Sequence, residues 1–163
     1  MVQPGRTFED FYRAEWASVR RAVGFAVGEA ELARDCVDEA MTRAYERWDQ
    51  VGRMDRPAGW VYRVAINQAR NRGRRRKVEW ARRPAPLAPG PGADTVADTV
   101  ADPAIAAAVA LLPVEQRAVV VLRFYLDWST EEVARALDIA EGTVKSRLHR
   151  ALRRLENSLR EPA

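Results

Sequence analysis

The strongest constraint on this chain is a proline- and glycine-rich stretch near its middle. Residues 84–103 hold Pro84, Pro86, Pro89, Pro91 and Pro103 together with Gly90 and Gly92. Proline lacks a backbone donor and its ring clashes with the preceding helical turn, so a run of this kind is a poor place for a regular element. The 163-residue chain is thereby divided into two pieces, each of small-domain size. The repeat Ala93-Asp94-Thr95-Val96 and Ala97-Asp98-Thr99-Val100 inside the stretch is four residues long, which is low complexity and too short for a solenoid.

Both flanking pieces carry the helical period of about 3.6 residues. In the first, Phe8, Phe11, Tyr12, Val19, Val23 and Ala26 recur at that spacing behind Thr7, with Thr7 and Asp10 placed as a cap and its first-turn acid. Ala33, Cys36, Val37, Ala40, Met41, Ala44, Tyr45 and Trp48 make a second apolar stripe, with Asp35, Asp38, Glu39, Arg43 and Glu46 opposite it. Residues 49–56 read as a connecting loop. Pro57 suits the first position of a third helix, which places Trp60, Val61, Val64, Ala65 and Ala69 inward and Arg63, Asn67, Arg70 and Arg74 on a basic edge. Gly73 and the run Arg74-Arg75-Arg76-Lys77 mark its end. The expected architecture is all-α: two small helical domains, 7–77 and 104–159, joined by a flexible linker, 78–103.

Charge is segregated along the chain. Residues 63–83 contain nine basic side chains and a single acid, Glu79, whereas 84–103 contain no basic residue and the aspartates Asp94, Asp98 and Asp102. Such partition is expected when different segments face different partners. No apolar run approaches the roughly 18 residues a membrane span requires, so membrane insertion is not expected, and the first residues lack the apolar core of a secretory signal. A cytoplasmic protein is the default. With one cysteine, Cys36, and one histidine, His149, neither an internal disulfide, a Cys-His nucleophile pair nor a metal centre built on those ligands is available. No glycine-rich phosphate loop or isolated carboxylate pair points to catalysis. The expectation is a non-enzymatic protein without a cofactor.

The second piece concentrates the functional signal. An Ala-rich helix from Ala104 to Leu112 is followed by another from Pro113 to about Tyr125. Ser129-Thr130-Glu131-Glu132 has the form of a capping box and opens a short helix ending at Leu137. After a break at 138–142, a longer helix runs from about Thr143 to Leu159, with Val144, Leu148, Ala151, Leu152 and Leu155 at core spacing. Val133, Ala134, Leu137, Ile139, Val144 and Leu148 would pack the pair. Two short helices joined by a tight turn, the second of them basic, form a helix-turn-helix that lays its second helix in a DNA major groove. Thr143, Lys145, Ser146, Arg147, His149 and Arg150 remain outward, and their donors suit phosphates and purine edges.

The segment Glu141-Gly142-Thr143-Val144-Lys145-Ser146-Arg147-Leu148-His149-Arg150-Ala151 closely resembles the recognition-helix signature of bacterial sigma factors. Together with Leu112-Pro113, Arg117, Leu122-Arg123-Phe124-Tyr125 and the capping box, it is similar to region 4 of the extracytoplasmic-function (ECF) subfamily of the sigma-70 family. Ala33-Arg34-Asp35-Cys36-Val37-Asp38-Glu39 with Arg43-Ala44-Tyr45 resembles region 2.2, and Gly59-Trp60-Val61-Tyr62-Arg63-Val64-Ala65 with Asn67 and Asn71 resembles regions 2.3 to 2.4.

The resemblance implies a dissociable specificity subunit that directs core RNA polymerase to promoter DNA and helps to open it. Asp35, Asp38 and Glu39 would dock on the clamp helices of the largest polymerase subunit, and region 4 on the flap of the second subunit. Arg63, Asn67, Arg70, Asn71 and Arg74 would meet the downstream (-10) element, with an extruded base held in the 49–56 loop; Trp60 is read as core. Thr143, Lys145, Ser146, Arg147, His149 and Arg150 would read the upstream (-35) element. An anti-sigma factor is implied as a further partner, and the linker would follow the polymerase cleft. Ala140, Asp138, Ile66 and Asn71 depart from residues common in the family, the last two bearing on which -10 bases are read. The competing readings are a stand-alone helix-turn-helix regulator and a protein-binding adaptor; neither requires an acidic docking helix followed by a strand-opening one.

Overall fold

The computed structural model describes residues 5–80 and 102–160, the side chains of 76–80 excepted. Most of the expected linker, with Asp94 and Asp98, lies outside the described residues. Every regular element among the described residues is helical. The first module contains α1 (Phe8–Val27), α2 (Ala30–Glu46), the single turn α3 (Trp48–Val51) and α4 (Pro57–Trp80).

Helix α1 starts where the sequence says it should: the Thr7 hydroxyl accepts from the Asp10 amide and the Asp10 carboxylate accepts from the Thr7 amide. It stops at Gly28, whose φ of 78° is left-handed, a conformation that costs glycine little and closes the last turn through its amide on the Gly24 carbonyl. Gly28 and Glu29 alone separate α1 from α2, so the two form a tight hairpin. Phe11, Val23, Cys36, Val37 and Ala40 seal it. Helix α4 packs across both.

Three expectations in this module are corrected. The 49–56 connection is partly helical, because α3 carries Val51 into the core and leaves only 52–56 irregular. Tyr45, placed in the buried stripe, is 62% exposed and rests edge-on against Phe8 at the surface. Helix α4 passes through Gly73 and continues to Trp80, three residues into the segment expected as linker. No neighbour lies within 4 Å of a Cβ built at Gly73, so nothing tertiary exploits that glycine and the helix pays only its propensity cost.

The second module contains α5 (Pro103–Ala110), α6 (Val114–Val120), α7 (Thr130–Leu137) and α8 (Glu141–Arg160). Asp102 caps α5 by accepting from the Ala104 amide, and Pro103, grouped from sequence with the helix breakers, occupies the first helical turn, where its missing donor costs nothing. Helix α6 runs on into a π-helical turn, Val121–Tyr125, in which the Leu126 amide reaches back to the Val121 carbonyl. The widened turn and the left-handed Asp127 (φ 54°) swing Trp128 inward, where it is buried. Leu152, expected in the core of α8, is 47% exposed; Val144 and Ala151 are the fully buried positions of that helix.

The two modules are packed on one another. Helix α4 lies against α7, and α1 against α6 and its π-turn. One continuous apolar core contains Phe11, Val23, Val37, Val61 and Tyr62 from the first module and Val119, Leu122, Trp128, Val133 and Val144 from the second. A smaller cluster, Leu112, Val120 and Ala151, belongs to the second module alone.

Candidate nucleic-acid interface

The helix-turn-helix is built from local chemistry. The Ser129 hydroxyl accepts from the Glu132 amide at 3.1 Å, and the Glu132 carboxylate accepts from the Ser129 amide at 2.8 Å, which satisfies two donors that a helix start leaves open. Asp138 ends α7 in the left-handed region (φ 53°), a position aspartate tolerates better than most side chains, and the Ile139 amide returns to the Ala134 carbonyl at 3.0 Å. The chain re-enters a helix at Glu141, two residues before the expected start at Thr143. Val133, Ala134 and Val144 are buried where the two helices meet.

The expected recognition residues are brought together on one helix. Lys145, Ser146, His149 and Arg150 are exposed, and Thr143 and Arg147 half-buried. Ser146 donates its hydroxyl to the Thr143 carbonyl at 3.1 Å, which leaves its lone pairs, and not its proton, for an outside partner. Lys145 sits 4.0 Å from Glu141 in an exposed pair that water screens. Among the described residues, Arg147 and Arg150 have no ion-pair partner.

The basic edge of α4 is less open. Asn67, Asn71 and Arg74 are exposed, but Arg63 lies 3.6 Å from Asp138 and Arg70 lies 3.4 Å from Glu115, both acids of the second module. The acidic side of α2 is likewise mixed. Asp35 is exposed, Asp38 accepts from the Trp16 indole at 3.2 Å, and Glu39 holds two guanidinium groups, Arg43 at 2.7 Å and Arg72 at 2.8 Å.

Between the modules lies a cleft of about 650 Å³. One wall is the 52–56 loop with Trp60 and Arg63; the other is Glu132, Arg135 and Ala136 of α7. Trp60 is half-buried and lines this cleft, so its ring is shared between core and surface. Arg56 stacks over the Trp128 ring, 4.5 Å from its centroid, and donates to Glu132, while Arg135 reaches Asp55 at 3.2 Å. The Arg56 bond first, and the Ser129 amide second, hold the Glu132 carboxyl down at about 2.

Beneath the cleft the contacts are buried. The Tyr62 hydroxyl donates to the Ala118 carbonyl at 3.1 Å, and burial pushes its phenol far above the usual tyrosine range. Arg117 donates to the Ala110 carbonyl at 2.9 Å and to the Val27 carbonyl at 3.5 Å. Its guanidinium therefore caps the C-terminal end of one helix in each module, where the helix dipole favours a cation, although desolvation lowers its pKa. Gly59 approaches α7 so closely that a Cβ there would stand 2.9 Å from the Ala136 Cβ.

Tyr62, Gly59, Arg56 and Trp128 had no assigned role from sequence. One signal was available: Tyr62, Ile66 and Ala69 make a second apolar stripe on α4 beside Val61 and Ala65, and a helix apolar on two sides packs against two neighbours. Among the described residues there is no group of side chains fit to hold a metal ion, and no helix is long and apolar enough to cross a membrane.

Comparison with known proteins agrees with this arrangement. The family described as "Sigma-70 region 2" matches residues 8–79 and that described as "Sigma-70, region 4" matches residues 103–155. The chain is 36% identical over 153 residues to the RNA polymerase sigma-E factor of Streptomyces avermitilis, covering 93% of this chain and 84% of that protein. It is 38% identical over 138 residues to the ECF RNA polymerase sigma factor SigL of Mycobacterium tuberculosis, covering 82% and 78%. Among solved structures, the sigma factor RpoE in complex with the anti-sigma factor NepR from Bartonella quintana shares the fold with a TM-score of 0.69 at 21% identity, over 95% of this chain and 99% of that one. CnrH in complex with the cytosolic domain of CnrY gives 0.61 at 21% identity, over 93% and 86%. The acidic helix and the basic helix that follows it lie within the region 2 match and the capped helix-turn-helix within the region 4 match, and the chain belongs to the ECF subfamily of the sigma-70 family of RNA polymerase sigma factors.

Proposed function

We infer that the chain is a promoter-specificity subunit of RNA polymerase whose residues 7–77 dock on the core enzyme and meet the -10 element, and whose residues 104–159 read the -35 element. The observation that carries this reading is the coexistence, on one chain, of an open recognition face on α8 with a separate basic edge on α4. A stand-alone regulator needs only the first. Arg147 and Arg150 are assigned to base or phosphate contacts, with Thr143, Lys145, Ser146 and His149 beside them. Arg63, Asn67, Arg70, Asn71 and Arg74 are assigned to the opened strand, and Asp35, Asp38 and Glu39 to a basic docking surface on the core enzyme, Asp35 being the most available of the three.

The chain itself performs no chemistry in this reading; the polymerase does, in the cytoplasm. An anti-sigma factor is a further expected partner, supported by the complex of the structurally similar RpoE with the anti-sigma factor NepR. Run-off transcription with purified core polymerase tests the proposal. Promoter-dependent transcripts should appear only when the protein is added, and duplex binding without core-dependent transcripts would favour a stand-alone regulator. Arg147→Ala and Arg150→Ala should each weaken upstream recognition by about 1–3 kcal/mol if the side chain reads a base.

A further inference from the structure

We propose that the outer seam between α1 and α2 is a docking surface for a protein helix that is apolar on one face and acidic beside it. The inference goes beyond the promoter reading, because neither DNA nor a basic surface on the core enzyme matches this seam.

Exposed aromatic rings follow one another along it. Tyr45 of α2 is 62% exposed and Tyr12 of α1 is 38% exposed. Phe8 bridges them, its ring centroid 5.2 Å from that of Tyr45 and 6.0 Å from that of Tyr12. Trp16 lies a further 6.0 Å beyond Tyr12. Phe8, Tyr12 and Trp16 stand at i, i+4 and i+8 on one face of α1, so the rings make a contiguous strip, unlike the scattered single side chains of an ordinary surface.

Past Trp16 the strip drops into a trough of about 230 Å³ between the two helices. Ala17, Gly24, Ala30 and Ala33 line its apolar part, and no atom lies within 4 Å of a Cβ built at Gly24. Glycine inside a helix weakens it, and at this position the missing side chain is what leaves the trough open. From Tyr12 to Gly24 the surface is about 18 Å long, the length of roughly three turns of a helix laid along it. Tyrosine, tryptophan and arginine are the side chains that anchor protein interfaces, and the seam holds all three.

Charge selects the occupant. Arg20 and Arg21 line the trough, and the exposed Arg34 stands one turn beyond Ala30 on α2. None of the three has an ion-pair partner among the described residues; Arg20 lies instead over the Trp16 ring, 5.2 Å from its centroid. Guanidinium groups left unpaired beside an apolar trough suit carboxylates, which they hold through two parallel hydrogen bonds. At its other end the seam meets the acidic face of α2 assigned to core polymerase, where Asp38 accepts from the Trp16 indole at 3.2 Å. The two surfaces therefore call for opposite charges. A DNA backbone would bring anions to the arginines but has no apolar group to fill the trough, and Asp38 would repel it.

The test uses the full chain and a phage-displayed library of helix-forming 16-residue peptides. Peptides enriched on the unsubstituted chain should carry two apolar residues four positions apart with acids beside them. Gly24→Leu fills the trough with a good helix former, so it should weaken an enriched peptide about tenfold without lowering the melting temperature. Arg20→Glu with Arg21→Glu should weaken the same peptide by a similar factor, and a peptide with lysines in place of its acids should then bind this variant better than the unsubstituted chain. Run-off transcription should be unchanged by Gly24→Leu.

Failure to enrich any peptide, enrichment of basic or uncharged ones, or binding that ignores both the filled trough and the reversed charges would each overturn the proposal. Transcripts lost on Gly24→Leu in a folded chain would overturn it too, by giving the trough to the polymerase. The same holds if Arg20→Glu with Arg21→Glu weakens binding of a fluorescein-labelled promoter duplex and leaves the peptide untouched, which would give the arginines to DNA. If the unsubstituted chain directs no transcripts, the sigma-factor reading falls, and the peptide measurements still decide the docking surface.

Discussion

Glu132 stabilises two features with one side chain: the start of α7 and the boundary between the modules. Its carboxyl is held at about 2, below its ordinary 4.5, first by Arg56 and then by the Ser129 amide. A depressed carboxyl stabilises the fold at pH values above its unfolded pKa, and that contribution disappears as pH falls through the folded value. The stability advantage of the native protein over Glu132→Gln should therefore be constant above about pH 5 and vanish between about 4.5 and 2, which denaturant titrations across that range will check. Tyr62 is a different case, since its bond to Ala118 is buried and neutral. Tyr62→Phe should cost about 1 kcal/mol by removing one buried hydrogen bond from a carbonyl that keeps the Val121 amide, with no dependence on salt. The sequence marks Glu132 as a cap and not as an ion-pair partner 76 positions from Arg56, and Tyr62 sits one position off the stripe that faces α1 and α2.

Helices obey their local signals where the signals are capping and turn chemistry. The boundaries of α7 follow from Ser129 and Leu137 because the capping box and the left-handed Asp138 are decided within a few residues. Ser129→Ala should lower stability by about 1 kcal/mol and weaken upstream DNA binding with it, as circular dichroism and a duplex-binding titration would show. Local signals mislead in α4, where Gly73 and the basic run look like an end and the helix continues to Trp80. Glycine lowers helix propensity without forbidding the helix. With open space at that position, Gly73→Ala should raise stability by about 0.5–1 kcal/mol, readable as a higher melting temperature. Periodicity likewise could not tell that Tyr45 and Leu152 fall at the rim of their stripes, because the width of a buried face depends on how much of it the neighbouring helix covers.

Across the whole molecule, Gly59 marks the closest approach of the modules. Gly59→Leu would drive a side chain into Ala136 and Trp128; such overpacking typically costs about 1–3 kcal/mol. Because the clash lies at the boundary, the loss should appear as separation, an increased radius of gyration with helix content retained, and a drop in helix content instead would place the damage inside a module.

From its residues alone, this chain is readable as two helical pieces of the sigma-70 type, with the recognition helix, its cap and its basic face in place, because each of those depends on neighbours a few positions away. The closure of one piece on the other is written nowhere in that pattern. It arises from pairs such as Arg56 with Glu132, Tyr62 with Ala118 and Arg117 with Val27, 76, 56 and 90 positions apart, whose partners become neighbours only after the helices have formed and their second apolar faces have found something to cover.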